Sequence, residues 1–400
     1  MFTLVNSVLF TFVNMEDHSN FGESFLKDYL QIKNPSLSGR YIHNAHIFPE
    51  LEKLKKAFKI SEEGLSVMGE KIISVEIGNG PVKVLAWSQM HGNETTTTKA
   101  CFDVFNYLIG RNPNANEILE RCTIKIIPIL NPDAAFLYTR ENANQIDLNR
   151  DAKKLSEIES WVLRKVLNTF SPDFCLNLHD QRSIYSAGSR NIPATLSFLA
   201  PASDETRAVN HSRKIAMQVI ASIQTDLKSD LNQSIGRYDD AYNENCTGDT
   251  FMSMDIPTIL FEAGHYPHDY QREETRKYVA LSILSTLKNI ASGGYSECDI
   301  ADYLAIPENQ KLFYDIIIRN VSSEEKTLQY GIQFKEVLNG QKIDFIPIVE
   351  EINEKINKYA HREIDAEYRE MKSMENKSLK IGDPVETIFL NDKILSLKAE

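Results

Sequence analysis

Apolar and polar residues follow one another along the chain in patterns that change from helical to strand-like. Residues 20–65 carry apolar positions at helical spacing, which predicts a lead-in layer of short helices. From residue 71 the pattern becomes strand-like, with apolar runs at 72–77 and 82–87 on either side of Asn79-Gly80. An Asn-Gly pair between two such runs predicts a β-hairpin.

Strands and helices alternate from there to about residue 290. The pattern predicts helices over 95–108, 155–170, 206–227 and 272–290, and strands over 123–130, 174–178, 195–200 and 257–261. This alternation indicates an α/β fold with a mixed, largely parallel central sheet and helices on both faces. In such sheets, binding clefts form beyond the carboxyl ends of the strands.

The pattern changes again after residue 300. Strands are predicted at 312–318, 329–334, 343–349 and 385–390, a turn at Asn339-Gly340, and a strongly charged helix over 351–372. We interpret this region as a small C-terminal α+β accessory domain. The predicted organisation is therefore lead-in helices at 1–65, a main domain at 66–295 and the accessory domain at 300–400.

Composition narrows the classes of function. The formal net charge of -12 argues against nucleic acid or an anionic membrane as partner. Five cysteines without a CxxC pair make a disulfide framework unexpected. The apolar stretch at 1–15 lacks the basic residues and cleavage site of a signal peptide, and no later run is apolar enough to span a bilayer. We expect a cytoplasmic protein, and its oligomeric state stays open.

Four separated residues have the chemistry of a catalytic metal site. His91 and Glu94 follow a predicted strand at a spacing that lets both side chains face one side of a loop-to-helix junction. His179 ends an apolar strand, where Asp180 or a nearby carbonyl is expected to orient its second nitrogen. Two imidazoles and a carboxylate suit zinc and leave one position for water. Glu262 ends another strand, where it suits a general base and then a general acid.

Further polar residues suit a substrate with a free carboxylate. Asn149 and Arg150 match such a group, Arg150 through a two-point fork. Arg140 suits stabilisation of the oxyanion that develops at a scissile carbonyl. These residues predict a peptide or a small carboxylate-bearing molecule as the substrate.

The residues together resemble a known family. The run Arg140-Glu141-Asn142-Ala143-Asn144-Gln145-Ile146-Asp147-Leu148-Asn149-Arg150 resembles the signature of the zinc metallocarboxypeptidases, the funnelin or M14 family, and most closely its regulatory-type branch. Over roughly residues 65–292, the family's order is followed by His91-Gly92-Asn93-Glu94, Asn131-Pro132-Asp133, Asn177-Leu178-His179 and the strand before Glu262.

The resemblance implies a role for each of these residues. It places one zinc ion on His91, Glu94 and His179, with Glu262 as the catalytic carboxylate. It also implies that Arg140 polarises the carbonyl and that Asn149 and Arg150 hold the substrate carboxylate. The family's mobile tyrosine over the substrate has two candidates, Tyr238 and Tyr242. The stretch after residue 300 does not show the family's transthyretin-like domain.

The main hypothesis is a zinc carboxypeptidase that hydrolyses the C-terminal amide bond of a peptide or of a peptide-like molecule such as a murein fragment. One alternative is an N-acyl amino acid deacylase of the aspartoacylase or succinylglutamate desuccinylase type, because its substrates also carry a free carboxylate. An alternative from another class is a non-catalytic zinc-containing binding module. The sequence cue for that alternative is a missing ligand or base, and none is missing.

Overall fold

The structure is a computed structural model that describes residues 21–231, 233–323, 326–391 and 393–399. The helices are α1 (Phe21–Ile32), α2 (Asn44–Leu54), α3 (Thr96–Ile109), α4 (Pro113–Arg121), α5 (Pro132–Leu137), α6 (Ile158–Phe170), α7 (His211–Leu231), α8 (Thr247–Ser253), α9 (Glu273–Ser292) and α10 (Ile300–Ala305). The first strands are β1 (Lys59–Leu65), β2 (Lys71–Gly78), β3 (Val82–Trp87), β4 (Cys122–Ile127), β5 (Phe174–Asp180), β6 (Ser186–Ala187), β7 (Leu196–Leu199), β8 (Ile235–Arg237) and β9 (Thr258–Ala263).

The central sheet has eight strands in the order β1-β2-β4-β3-β5-β9-β7-β8 within the described chain. The inner pairs β4 with β3, β3 with β5, and β5 with β9 are parallel, whereas β1 with β2, β2 with β4, and β9 with β7 are antiparallel. The predicted mixed, largely parallel α/β sheet is confirmed.

Helices cover both faces of this sheet because its inner strands are apolar on both sides. Val84 and Ala86 of β3 belong to the core shared with α1, α3, α7 and α9. Leu85 and Trp87 point the other way, into a second core shared with α6. Alternate residues of a strand face opposite sides, so a continuous apolar run buries both.

The predicted hairpin at Asn79-Gly80 is wrong, because β4 lies between β2 and β3. The Asn79 and Gly80 amides donate to the carbonyls of Leu119 and Cys122 at 3.0 and 3.3 Å, so the turn closes around the start of β4. A Cβ on Gly80 would lie 1.9 Å from the backbone carbon of Arg121, which explains the glycine.

The lead-in segment is helical only in part. Its helices α1 and α2 form as predicted, but β1 is an edge strand of the central sheet. Gly64 of β1 approaches Val162 of α6 so closely that a Cβ would lie 2.5 Å from a Val162 methyl carbon. The apolar stretch at 1–15 lies outside the described residues.

The C-terminal region consists mainly of β-strands, listed here in chain order: β10 (Asn309–Gln310), β11 (Phe313–Ser323), β12 (Lys326–Asn339), β13 (Lys342–Asn353), β14 (Tyr359–Asp365), β15 (Met371–Ser373), β16 (Thr387–Leu390) and β17 (Lys393–Ser396). A four-stranded sheet, β13-β12-β11-β14, and a three-stranded sheet, β15-β16-β17, share one apolar core. The short α10 precedes them. The turn at Asn339-Gly340 forms as predicted, between β12 and β13.

The charged helix predicted over 351–372 is wrong, because this stretch contributes strands β13, β14 and β15. The backbone of β14 pairs with β11 in parallel, while its charged side chains find partners on β11. Glu363 accepts from Arg319 at 2.7 Å, and Asp365 accepts from Asn320 at 3.0 Å. The high charge of this stretch therefore indicated only that its side chains are exposed to solvent. A strand with one exposed face meets that condition as well as a helix does.

Two further features bear on the sequence predictions. All five cysteines lie in the described chain and are free, with Cys101, Cys122 and Cys175 buried. Over the same residues, every helix is too short or too polar to cross a membrane.

Candidate active site

Three neighbouring strands bring the predicted ligands and base to one edge of the sheet. His91 and Glu94 lie between β3 and α3, His179 is the penultimate residue of β5, and Glu262 lies on β9. In the register of β5 and β9, His179 is directly beside Glu262. The carboxyl ends of parallel strands share an edge, so residues far apart in sequence become neighbours.

Close backbone packing fixes the loop that carries His91. A Cβ on Gly92 would lie 2.0 Å from the backbone carbon of Ala134 in α5. Asn131 braces the same loop by donating to the Met90 carbonyl at 3.1 Å, while its side-chain oxygen accepts from the Ala134 amide at 3.2 Å. The Asn131-Pro132-Asp133 turn therefore holds the loop that carries His91 in place.

The structure brings His91, Glu94 and His179 into one cluster. Glu94 Oε1 lies 2.7 Å from His91 Nδ1, Glu94 Oε2 lies 2.8 Å from His179 Nδ1, and the two Nδ1 atoms are 3.2 Å apart. All three ligand atoms lie within 4.8 Å of one another. Two nitrogens bound about 2.05 Å from a tetrahedral zinc ion lie roughly 3.3 Å apart. The donor set and its spacing therefore fit zinc.

The electrostatics of the cluster favour a bound cation. Burial raises the pKa of Glu94, but the charges of His91 and His179 outweigh it and hold that pKa well below its ordinary value. Burial lowers the pKa of His179. Burial lowers the pKa of His91, but the charge of Glu94 and the hydrogen bond to Asp147 outweigh it and raise that pKa above its ordinary value. Metal binding requires an ionised carboxylate and neutral imidazoles, so a cation bound here displaces the proton that Glu94 otherwise favours on His91.

Asp147 and Arg140 contact each other and the side chains of the predicted ligands. Asp147 Oδ1 lies 3.0 Å from His91 Nε2, and Asp147 Oδ2 accepts from Arg140 Nε and Nη2 at 3.1 and 3.0 Å. Arg140 Nη1 lies 3.2 Å from His91 Nδ1 and 3.4 Å from Glu94 Oε1, where its positive charge faces the ligand atoms. Sequence reasoning gave Asp147 no role, although the residue stands inside the Asp147-Leu148-Asn149-Arg150 motif.

Asp180 has a different role from the predicted one. Its carboxylate accepts from the amides of Thr96 and Thr97 at 3.0 and 3.4 Å, at the start of α3. Its own amide donates to Glu94 Oε2 at 3.1 Å. His179 Nε2 is buried and has no hydrogen-bond partner among the described residues. Asp180 therefore joins β5 to the Glu94 segment instead of orienting His179.

Glu262 has the properties of a proton carrier. Burial, followed by the charges of Glu94 and Asp180, raises its pKa well above the ordinary value. No side chain or amide of the described chain makes a hydrogen bond or ion pair with its carboxylate, which faces the same cavity as the ligands. A carboxylate with a raised pKa takes up a proton readily near neutral pH.

Asn149 and Arg150 lie together on the cavity wall with unused donors. Asn149 Oδ1 accepts from the Thr247 amide at 3.0 Å, which leaves its Nδ2 group to donate elsewhere. Arg150 is exposed, and its Nη1 donates to the Asn149 carbonyl at 2.8 Å and to Cys246 Sγ at 3.1 Å. Its Nε and Nη2 make no hydrogen bond within the described chain, so both residues retain donors for a carboxylate.

The two tyrosine candidates differ in position. Tyr238 lines the cavity, and its hydroxyl donates to the Tyr185 hydroxyl at 2.8 Å. Burial and the charge of Glu262 raise the pKa of Tyr238. Tyr242 is half-buried and does not line this cavity. The structure therefore brings Tyr238 to the site and leaves Tyr242 outside it.

All the other predicted site residues surround one cavity of about 820 Å³. Its wall also contains residues that sequence reasoning missed, and two groups of them come from the loop after β5 and from the C-terminal strands β12 and β13. These are Gln181, Arg182, Tyr185, Gln333, Phe334, Lys335, Glu336 and Glu350. No sequence motif marks the C-terminal group, since its position depends on how that region packs against the main domain.

Comparison with known proteins agrees with this geometry. The family model described as zinc carboxypeptidase matches residues 50–247. Carboxypeptidase 2 of Trichophyton rubrum is 29% identical over 100 residues, 24% of this chain and 19% of the relative. Carboxypeptidase SOL1 of Arabidopsis thaliana is 33% identical over 119 residues, 26% of this chain and 24% of the relative. The match thus spans about a quarter or less of these relatives' lengths.

Solved structures share the fold at low identity. The metallo-carboxypeptidase from Burkholderia cenocepacia superposes with a TM-score of 0.51 and 14% identity, covering 64% of this chain and 69% of that one. Carboxypeptidase A from Helicoverpa armigera gives a TM-score of 0.50 and 16% identity, covering 68% and 81% of the two chains. On the family model, the curated relatives and the shared fold together, the chain belongs to the zinc carboxypeptidase family, M14.

Proposed function

We propose that this protein is a zinc-dependent carboxypeptidase that hydrolyses the C-terminal amide bond of a peptide or peptide-like substrate. The observation that carries the proposal is one cavity lined by the His91, Glu94 and His179 cluster, the carboxylate of Glu262 and the free donors of Asn149 and Arg150. Metal ligands, a base and a carboxylate anchor are the parts that this reaction needs.

The anchor selects the end of the substrate. Arg150 offers Nε and Nη2 to the two oxygens of a terminal carboxylate, and Asn149 adds its Nδ2 group. A carboxylate held there positions the preceding amide bond toward the metal ligands. An internal peptide bond lacks this carboxylate, which is why the proposed activity is confined to the chain end.

The chemistry follows from the groups around the ligands. When bound by His91, Glu94 and His179, zinc supplies Lewis acidity that polarises a carbonyl and makes water more nucleophilic near neutral pH. Glu262 accepts the proton of the attacking water and passes it to the departing amine, a role that its raised pKa suits. Arg140 presents its guanidinium beside the ligands, where it stabilises negative charge on the carbonyl oxygen.

The test compares two substrate classes with one protein preparation. Zinc-loaded protein is assayed against a dipeptide and tripeptide library and against a panel of N-acyl amino acids. We expect release of the C-terminal residue from peptides, little turnover of C-terminally amidated peptides, and loss of turnover in Glu262→Gln. Faster turnover of the N-acyl amino acids would favour the deacylase alternative, and zinc binding without turnover in either panel would favour a binding module.

A further inference from the structure

The C-terminal strands contribute one wall of the proposed active-site cavity. Residues Gln333, Phe334, Lys335 and Glu336 of β12 line it, and so does the segment with Cys246, where Cys246 Sγ contacts Arg150. Arg182, three residues beyond His179, lines the same cavity. The cavity thus has one wall near the Asn149 and Arg150 anchor and another built around β12.

Two cations on the β12 wall have no side-chain partner among the described residues. Arg182 and Lys335 are exposed, and neither side chain makes a hydrogen bond, ion pair or ring contact within the described chain. The other cavity arginines are engaged: Arg40 with Glu336 at 3.0 Å, Arg140 with Asp147 at 3.0 Å, and Arg150 with a backbone carbonyl and a thiol. Arg182 and Lys335 are therefore the available positive charges on this wall.

Contacts between the two regions of the chain hold the segment that carries Arg182 against β12, the strand that carries Lys335. The Ser183 hydroxyl accepts from Gln333 Nε2 at 2.9 Å, and the Ser183 carbonyl accepts from His361 Nε2 at 2.8 Å. The residue next to Arg182 is thus fixed to β12 and β14. Alternate residues of a strand share a face, so Lys335 lies on the same face of β12 as Gln333.

Neighbouring carboxylates do not neutralise this pair. Glu336 accepts hydrogen bonds from Arg40 and from the Tyr138 hydroxyl, so its negative charge is already paired with the Arg40 guanidinium. Glu350 is the extra residue opposite the Gly331 to Ile332 irregularity, three residues along β12 from Lys335. At about 3.3 Å per residue their backbones lie roughly 10 Å apart along the strands, and no ion pair joins the two side chains within the described chain.

We propose that Arg182 and Lys335 form an anion-binding subsite for a carboxylate side chain on the acyl side of the scissile bond. The proposal rests on the function proposed above. A substrate anchored at Arg150 by its terminal carboxylate, with its carbonyl at the metal ligands, extends its remaining residues toward the β12 wall. The substrate class is then a short peptide with an acidic residue before the one that is released.

The test uses matched tripeptides that differ only in the residue before the released one, which is Glu, Gln or Lys. Exposed ion pairs typically change free energies by less than 1 kcal/mol each, so two of them predict a kcat/KM ratio of Glu to Gln of roughly 3 to 20. We expect that ratio to fall toward one in R182Q/K335Q, while turnover of the Gln peptide stays within about two-fold. Raising the salt concentration should lower the ratio as well.

A control variant and a binding measurement complete the test. K342Q removes a charge from the same hairpin outside the cavity and should keep the wild-type ratio. Titration calorimetry with E262Q and the three tripeptides measures the preference without turnover. A wild-type ratio near one, or a ratio that R182Q/K335Q leaves unchanged, would overturn the subsite. If no peptide is hydrolysed but E262Q still prefers the Glu peptide, the proposed reaction fails and the subsite stands.

Discussion

Replacing Asp147 should weaken zinc binding without removing a ligand. Asp147 accepts the hydrogen bond from His91 Nε2 at 3.0 Å, and its side chain is only 20% exposed. Asp147→Ala leaves the second nitrogen of a buried imidazole without a partner, which costs about 1–3 kcal/mol. That range agrees with the 10- to 100-fold loss of metal affinity that is typical for removal of such a partner. Asp147→Asn keeps an acceptor but loses the charge, so we expect roughly a third to a tenth of wild-type affinity.

The assay is a competition between each apoprotein and a zinc chelator of known affinity, at fixed pH and salt. Asp239→Asn is the matched control, because Asp239 lines the same cavity but, among the described residues, its carboxylate accepts only from the Ala241 amide at 3.0 Å. It should bind zinc as the wild type does. Equal affinity of Asp147→Ala and the wild type would refute the claim that Asp147 orients a zinc ligand.

Three further predictions follow. Glu262→Gln should lower kcat/KM about 10²- to 10⁴-fold while elemental analysis still finds the wild-type zinc content. Gly92→Ala should destabilise the fold by roughly 1–3 kcal/mol in urea titrations, because its Cβ would overlap the Ala134 backbone carbon at 2.0 Å. Burial raises the pKa of Asp315 to about 6, so this residue should lower the free energy of unfolding by roughly 2 kcal/mol as pH rises from 4 to 6, and Asp315→Asn should have a shallower slope.

Each of these predictions has an outcome that contradicts it. Turnover by Glu262→Gln at the wild-type rate would remove Glu262 from the reaction. An unfolding midpoint of Gly92→Ala equal to that of the wild type would mean that the loop with His91 moves away from Ala134 at no cost in stability. The sign for Asp315 follows from the folded state holding its proton more tightly than the unfolded state, so a steeper slope in Asp315→Asn would contradict the burial argument. The buried Asp249, whose pKa burial also raises to about 6, leaves some slope in both proteins.

The sequence predicted most of the candidate site because its residues follow apolar strands. His179 and Glu262 end or nearly end such runs, and parallel strands bring their carboxyl ends together whatever their distance in the chain. Asp147 was missed because an acidic residue in a polar loop resembles any solvated charge. Only its distance to His91 Nε2 distinguishes it.

Which strands pair, and how the C-terminal region packs against the main domain, could not be predicted from the sequence. Asn79-Gly80 has the chemistry of a hairpin turn, but a distant strand, β4, takes the place of the expected neighbour. The stretch 351–372 has the charge of an exposed helix, but long-range pairing with β11 makes part of it a strand. The β12 wall of the cavity depends on contacts across the chain such as Gln333 with Ser183. Local pattern does not record such contacts.

The central claim is that two imidazoles and one carboxylate, brought together by three strands, bind the zinc ion of a peptidase. Anomalous diffraction at the zinc edge, from crystals of the zinc-loaded protein, tests it most directly. We predict one strong peak about 2.0–2.2 Å from Nδ1 of His91, Nδ1 of His179 and a carboxylate oxygen of Glu94. A zinc peak elsewhere, with none at these three side chains, would contradict the account.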